Sequence, residues 1–468
     1  MTTQVDLSSP RLVILGGGPG GYEAAMVGAH LGAQVTIVED AGMGGSAVLT
    51  DVVPSKSLIA TADSVRRVIG SAKLGVRMAD SDPEEGRVDL GFVNERLMKL
   101  AHSQSDDIRS GLERAGVRVI IGRGTLLSPT RVKVTATEGV TELEADYVLL
   151  AVGAHPRELP TAVPDGERIF TWKQLYKMQE LPEHLIVVGS GVTGAEFASA
   201  YNLLGTKVTL VSSRDRVLPG EDKDAAELLE SVFAANGVNV VSRARAEAVT
   251  RTEDGVSVTL GDGRTIEGSH CLVAVGAIPN TADLGLEAAG VKVKDSGHIV
   301  TDGVSRTTAP NIYAAGDCTG VFALASVAAM QGRIAVAHLM GDAVSPLKLH
   351  EVSSNIFTSP EIATVGVTEA QVLDGKYQAD ILKLDLTTNP RAKMMNVEAG
   401  FVKILSRKGS GTVIGGVVVA PRASELIYTI ALAVHKRLHV DDLSETFTVY
   451  PSLSGSVSEA ARRLHVHV

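Results

Sequence analysis

The chain has 468 residues, a hydrophobic fraction of 44% and two cysteines, Cys271 and Cys318. That length carries about three domains and a large core, while the cysteine count excludes a disulfide scaffold and a cysteine-ligated metal cluster; no metal site is expected. The net charge of −10 argues against a nucleic-acid partner, which would need clustered Lys and Arg. No apolar run reaches the roughly 18 residues of a membrane span, and the stretch Met1–Pro10 lacks the basic and apolar parts of a signal peptide. A cytoplasmic location is therefore expected.

In chain order, Arg11–Leu15 (RLVIL) reads as a buried parallel strand. It runs into Gly16-Gly17-Gly18-Pro19-Gly20-Gly21, which fits G-x-G-x-x-G, and then into a helix-like stretch from Tyr22. A second strand, Val35–Val38, ends at Glu39. Strand, glycine turn, helix, strand and acid together predict a dinucleotide site. Gly16, Gly18 and Gly21 let the backbone approach a pyrophosphate at a helix N-terminus, and Glu39 is placed for a ribose hydroxyl.

The stretch from Gly42 to Lys56 reads GMGGSAVLTDVVPSK. It resembles the active-site helix of the flavin disulfide reductases, the lipoamide dehydrogenase and glutathione reductase family, whose pattern is G-G-T-C-x4-C-x-P-S-K. Gly44-Gly45 and Pro54-Ser55-Lys56 are in place, but the two cysteine positions are Ala47 and Val52. Neither side chain can act as a nucleophile or hold a redox disulfide, which needs a thiolate. The resemblance implies FAD at the first glycine turn, with Lys56 approaching the flavin edge where hydride arrives.

From about Ala60 to Gly116 the chain reads as helical, with a charged hinge over residues 80–87. Val117–Ile121 reads as a strand and Gly122-Arg123-Gly124 as a turn, where the resemblance brings the backbone at Gly124 near the adenine. Tyr147–Pro156 closes the first half of the FAD domain, with His155 read as a linker residue.

A second unit follows. Leu185–Val188 is a strand, Gly189-Ser190-Gly191-Val192-Thr193-Gly194 repeats G-x-G-x-x-G, and Ala195–Ala198 opens a helix. Gly189, Gly191 and Gly194 are the expected NAD(P) turn. Two complete fingerprints imply two dinucleotides, a held flavin and an exchanging nicotinamide. By resemblance Glu196 pairs with Lys56 beside the flavin, and Val192 stands where some relatives carry a gating Tyr. The strand Val208–Val211 ends not on an acid but on Ser212-Ser213-Arg214-Asp215-Arg216. A carboxylate would grip a 2′-hydroxyl and repel a 2′-phosphate. Ser212 and Ser213 can hydrogen-bond that phosphate, and Arg214 and Arg216 add charge, so NADPH is favoured with NADH also accepted.

Cys271–Asn280 (CLVAVGAIPN) ends the nicotinamide domain, with Gly276 at its turn and Cys271 as an inert core residue. Thr308–Asp317 matches the family's next signature, which implies that Asp317 meets the ribityl chain of FAD; Cys318 beside it reads as packing. Ala325 opens the helix whose backbone amides face the flavin pyrimidine edge in the family. The region from about Leu349 resembles the family's homodimer interface. It normally reads His-Pro-x-x-x-Glu near its end, and here reads Tyr450-Pro451-Ser452-Leu453-Ser454-Gly455.

The expected fold is α/β: two Rossmann-like domains, for FAD (1–155 and 283–347) and NAD(P) (156–282), plus an α+β dimerisation domain (348–468). The departures from the family, Ala47, Val52, Tyr450 and Gly455, are the two thiols and the thiol's acid/base pair. The sequence is similar to the NAD(P)H quinone reductases of this family that lack the disulfide. That resemblance implies ping-pong hydride transfer from NADPH to FAD and onward to a quinone, with Tyr450 of the second subunit lining the quinone pocket or giving a proton. A soluble pyridine nucleotide transhydrogenase and a non-catalytic flavin-binding interaction protein are the alternative readings.

Overall fold

The computed structural model describes residues 9–76 and 88–465; the expected charged hinge, residues 80–87, lies outside the described residues. In chain order the elements are β1 (Arg11–Leu15), α1 (Pro19–His30), β2 (Gln34–Glu39), α2 (Gly45–Leu49), α3 (Val52–Gly70), α4 (Leu90–Arg114), β3 (Arg118–Ile121), β4 (Arg123–Ser128), β5 (Arg131–Ala136), β6 (Gly139–Glu144), β7 (Tyr147–Leu150) and β8 (Ala154–Pro156). Then come β9 (Ile169–Phe170), β10 (His184–Val188), α5 (Val192–Leu203), β11 (Lys207–Val211), α6 (Lys223–Ala235), β12 (Asn239–Val241), β13 (Ala246–Arg251), β14 (Val256–Leu260), β15 (Thr265–Gly268) and β16 (His270–Val273). The last third holds β17 (Ala277–Pro279), β18 (Ile312–Ala314), α7 (Ala325–Leu339), β19 (Ser353–Ile356), β20 (Glu361–Gly366), α8 (Glu369–Leu373), β21 (Ala379–Asp385), α9 (Pro390–Met394), β22 (Phe401–Arg407), β23 (Val413–Ala420), α10 (Ala423–Lys436), α11 (Val440–Glu445) and α12 (Gly455–Arg463).

Over the described residues, packing divides the chain into two compact units. The first comprises the residues up to Ser57, Asn94–Arg157 and Gly276–Leu347. Its centre is a parallel sheet of order β18-β7-β1-β2-β3. In β1, Leu12 and Ile14 pack toward α1 and α7, while Val13 and Leu15 pack toward the small antiparallel sheet β4-β5-β6. Both faces are covered, which is why β1 reads as an unbroken apolar run rather than an alternating one. Strand β18 returns after the second glycine unit and pairs with β7, Tyr313 opposite Leu149.

The second unit comprises Leu58–Val93, Glu158–Val275 and Lys348–Val468. Its first part repeats the plan, with order β12-β11-β10-β16-β9 and the antiparallel β13-β14-β15 beside it. Its C-terminal part is an antiparallel sheet, β19-β20-β23-β22-β21, whose core takes in Ile427 and Ile430 of α10 and Val457 and Ala460 of α12. The expected turn at 122–124 is corrected: Arg123 and Gly124 already belong to β4, and a Cβ on Gly124 would fall 2.4 Å from the Leu15 side chain. Glycine serves there to let β4 pass close over β1, not to turn the chain.

Candidate active site

The two glycine turns are built alike. At the first, the Gly16 N–H donates to Val38 O at 2.8 Å, and at the second the Gly189 N–H donates to Val211 O at 3.0 Å. Gly16 and Gly189 adopt φ of +105° and +115°, where only glycine sits without strain. A Cβ on Gly21 would lie 1.9 Å from Gly16 O, and one on Gly194 would lie 1.8 Å from Gly189 O. Gly18 and Gly191 instead face open space, with no atom within 4 Å of a built Cβ. Each turn thus offers bare backbone at the start of a helix, α1 or α5, whose cap carries no side-chain hydrogen bond. That is the cradle a pyrophosphate requires.

The residues ending the second strand of each half differ. Glu39 is buried, and its carboxylate accepts the Gly17 N–H at 2.6 Å and the Ala41 N–H at 2.8 Å. Burial raises its pKa, while the two amide donors act in the opposite sense. At the matching place Ser212 is fully buried, its Oγ 2.7 Å from Ser190 Oγ and accepting the Arg214 N–H at 3.1 Å. The Ser212 hydroxyl thus faces into the loop, while Ser213 and Arg214 are exposed. Arg216 is likewise turned inward, toward Pro219 O at 3.4 Å.

On the far side of the first sheet Asp317 opens a 3-10 turn after Gly316, itself at φ +81°. Burial raises the Asp317 pKa, and its carboxylate has no side-chain or backbone hydrogen bond among the described residues. A desolvated acceptor lacking a donor fits a polyol hydroxyl, as the ribityl chain of FAD would provide. Sequence reasoning missed Gln331. Buried on α7, it accepts the Gly316 N–H at 2.8 Å and donates to Thr319 Oγ1 at 3.3 Å, fixing the turn that carries Asp317. A lone Gln in a helix gives no signal of this. Ala325 is the first residue of α7 and is exposed; Gly276, at φ +101°, faces open space.

Lys56 lies in the second turn of α3, half-buried and engaged with neighbours. Ahead of it α2 breaks from α3 at Thr50 and Asp51, with Ser46 Oγ 2.9 Å from Thr50 Oγ1. Ala47 and Val52 flank that break. The chain's two thiols are elsewhere and fully buried. Burial pushes Cys271 far up, and Cys318 up to about 12, so neither forms a thiolate at neutral pH.

Glu196 and Tyr450 belong to the second unit, Lys56 to the first. Glu196 is 4% exposed and its carboxylate accepts the Phe357 N–H at 2.8 Å. Tyr450 is 82% exposed, in a loop with Phe447 at 102% and Val449 at 78%. Asn389 ties down the end of that loop, donating to Ser452 O at 3.0 Å and Ser456 Oγ at 2.8 Å. His155 Nδ1 lies 2.6 Å from Asn280 Oδ1 on the β8–β17 pair, a strand-linking position. No helix among the described residues is long and apolar enough to cross a membrane.

Residues 10–332 match the family model described as pyridine nucleotide-disulphide oxidoreductase, and residues 352–461 match the dimerisation domain of the same name. The chain is 53% identical to a protein named NAD(P)H dehydrogenase (quinone) from Mycobacterium tuberculosis, over 98% of this chain and 94% of that one. It is 32% identical to a dihydrolipoyl dehydrogenase from Geobacillus stearothermophilus, over 96% and 95% of the two chains. The crystal structure of LpdA from Mycobacterium tuberculosis overlays with a TM-score of 0.93 at 52% identity, covering 98% of this chain and all of that one.

Proposed function

The chain belongs to the pyridine nucleotide-disulphide oxidoreductase family, and from that premise we propose that it is an FAD-dependent NAD(P)H:quinone oxidoreductase. The observation that carries the proposal is where the chain departs from its family. Both glycine cradles are complete, while the redox positions are Ala47 and Val52 and the acid/base positions are Tyr450 and Gly455. Reduction by a nicotinamide keeps its residues; reduction of a disulfide has lost all of them. The relative named for quinone reduction supports the same outlet.

When bound, FAD supplies a two-electron acceptor and donor between nicotinamide and quinone. Gly16, Gly18 and Gly21 would receive its pyrophosphate, Glu39 its ribose and Asp317 its ribityl chain, with the backbone at Gly124 and Ala325 completing the enclosure. Gly189, Gly191, Gly194 and Gly276 would receive the nicotinamide dinucleotide. Lys56 would place a positive charge at the flavin edge where hydride arrives, and in the second unit the Glu196 carboxylate is oriented by the Phe357 amide. A quinone accepts electrons without a nucleophile, so its reduction does not depend on the missing thiols and imidazole.

The exposed Phe447, Val449 and Tyr450 suit burial against a second copy of this chain, as a dimerisation domain requires. Tyr450 would then line the partner's quinone pocket. The reductant is a cytoplasmic one, and we take the enzyme to work there. Steady-state rates with NADPH and a para-quinone varied together test the proposal. Parallel double-reciprocal lines are expected; intersecting lines, or no turnover without a disulfide, would refute it.

A further inference from the structure

We propose that Arg243 is a second cation of the 2′-phosphate subsite, set beside Arg214 by a backbone hydrogen bond, on a loop that the Ser190–Ser212 hydroxyl pair holds in place. The inference rests on the reading of the second glycine turn as the NAD(P)H site.

The two halves of the chain supply the comparison. In the first, the Glu39 carboxylate clamps the amides of Gly17 and Ala41. In the second, Ser212 binds the matching residues, the Ser190 side chain and the Arg214 amide. The hydroxyl pair does the clamp's mechanical work without its negative charge. Removing that charge matters only if the ligand at the end of β11 is itself anionic.

The same loop gathers cations. The Arg243 N–H donates to Arg214 O at 2.7 Å, and the Ala244 N–H donates to Ser212 O at 2.8 Å. Strands β11 and β12 are parallel neighbours with Val211 opposite Val241, so Arg214 and Arg243 both lie past the carboxyl ends, where ligands of such sheets bind. Arg243 adopts φ +54°, uncommon for a residue with a side chain, and is bonded there on account of its neighbours. Both arginines are exposed, and among the described residues neither has a carboxylate within ion-pair distance. Of the acids between β11 and α6, Asp215 is exposed, Glu221 is half-buried and Asp222 is ion-paired with Lys403, against Arg214, Arg216 and Arg243. A phosphate dianion is matched by two guanidinium forks better than by one.

The test is calorimetric binding of 2′,5′-ADP and of 5′-ADP, which lacks the 2′-phosphate, to the FAD-loaded protein and to Arg243→Ala, Arg243→Gln and Ser212→Ala. Both Arg243 variants should weaken 2′,5′-ADP by roughly tenfold or more and leave 5′-ADP unchanged. Ser212→Ala should act in the same selective direction, and the KM for NADPH should rise in each while that for NADH holds. Wild-type affinity for 2′,5′-ADP in both Arg243 variants, or equal loss of the two ligands, would overturn the assignment. Binding of neither ligand by the unaltered protein would overturn the nicotinamide reading and this assignment with it.

Discussion

The carboxylate of Glu196, near the start of α5, accepts the backbone N–H of Phe357 at 2.8 Å, and one turn later Ser199 Oγ accepts that of Ser359 at 3.0 Å. Two alternate amides of the bend that follows β19 thus meet one face of the helix behind the second glycine turn. The first of these bonds is charge-assisted and fixes a buried carboxylate in one orientation.

Replacing Glu196 by Gln keeps the acceptor oxygen and removes the charge. Flavin bleaching by NADPH should slow about tenfold or more, a loss of roughly 1.4 kcal/mol or more in the transition state, while reoxidation by quinone changes little. Anaerobic stopped-flow of each half separately checks this.

Gly21→Ala and Gly194→Ala place the same methyl group against the same carbonyl in two different turns. Gly21→Ala should be recovered with little or no flavin. Gly194→Ala should retain flavin at the wild-type ratio and bind the nicotinamide at least about tenfold more weakly. Flavin-to-protein absorbance and a nucleotide titration distinguish them.

Lys403, 1% exposed, is reached by three carboxylates: Asp222 at 2.8 Å, Asp224 at 2.7 Å and Glu369. Lys403→Met leaves Asp222 and Glu369 without their cation and Asp224 with Lys383 alone, and should cost about 3–5 kcal/mol in urea unfolding. Burial raises the Asp224 pKa, but hydrogen bonds and charge from Lys403 and Lys383 more than offset this, and its net position is below the usual carboxylate range. With the folded value below the unfolded one near 3.9, this stabilisation is present at neutral pH and is lost as pH falls below about 4. The variant should show a shallower acid limb.

Phe447→Ser should shift the protein from dimer to monomer in sedimentation velocity. Quinone turnover should fall with the dimer fraction, and the rate of flavin bleaching should not. Retention of the dimer would show that this loop is not at the interface.

Much of this architecture is legible in the sequence because both glycine turns follow runs buried on two faces, as at Leu12–Leu15 and Leu185–Val188. What was not legible depends on distant partners. Ser212 reads as a surface loop residue until Ser190, 22 positions away, is found opposite it. Lys403 sits in an ordinary strand pattern, and its partner Asp222 is 181 residues distant. Gly124 reads as a turn because a missing side chain looks the same whether the chain bends or passes close over Leu15. The role of Tyr450 depends on a second copy, which no local pattern describes.

On the proposed route electrons leave this protein without a thiol, and anaerobic two-stage mixing with Cys271 and Cys318 both replaced by Ala tests this. NADPH is added while flavin absorbance is followed, and menadione or lipoamide is added second. The expected result is fast bleaching, fast recovery with menadione and none with lipoamide. Bleaching that recovers with lipoamide and not with menadione would contradict the claim.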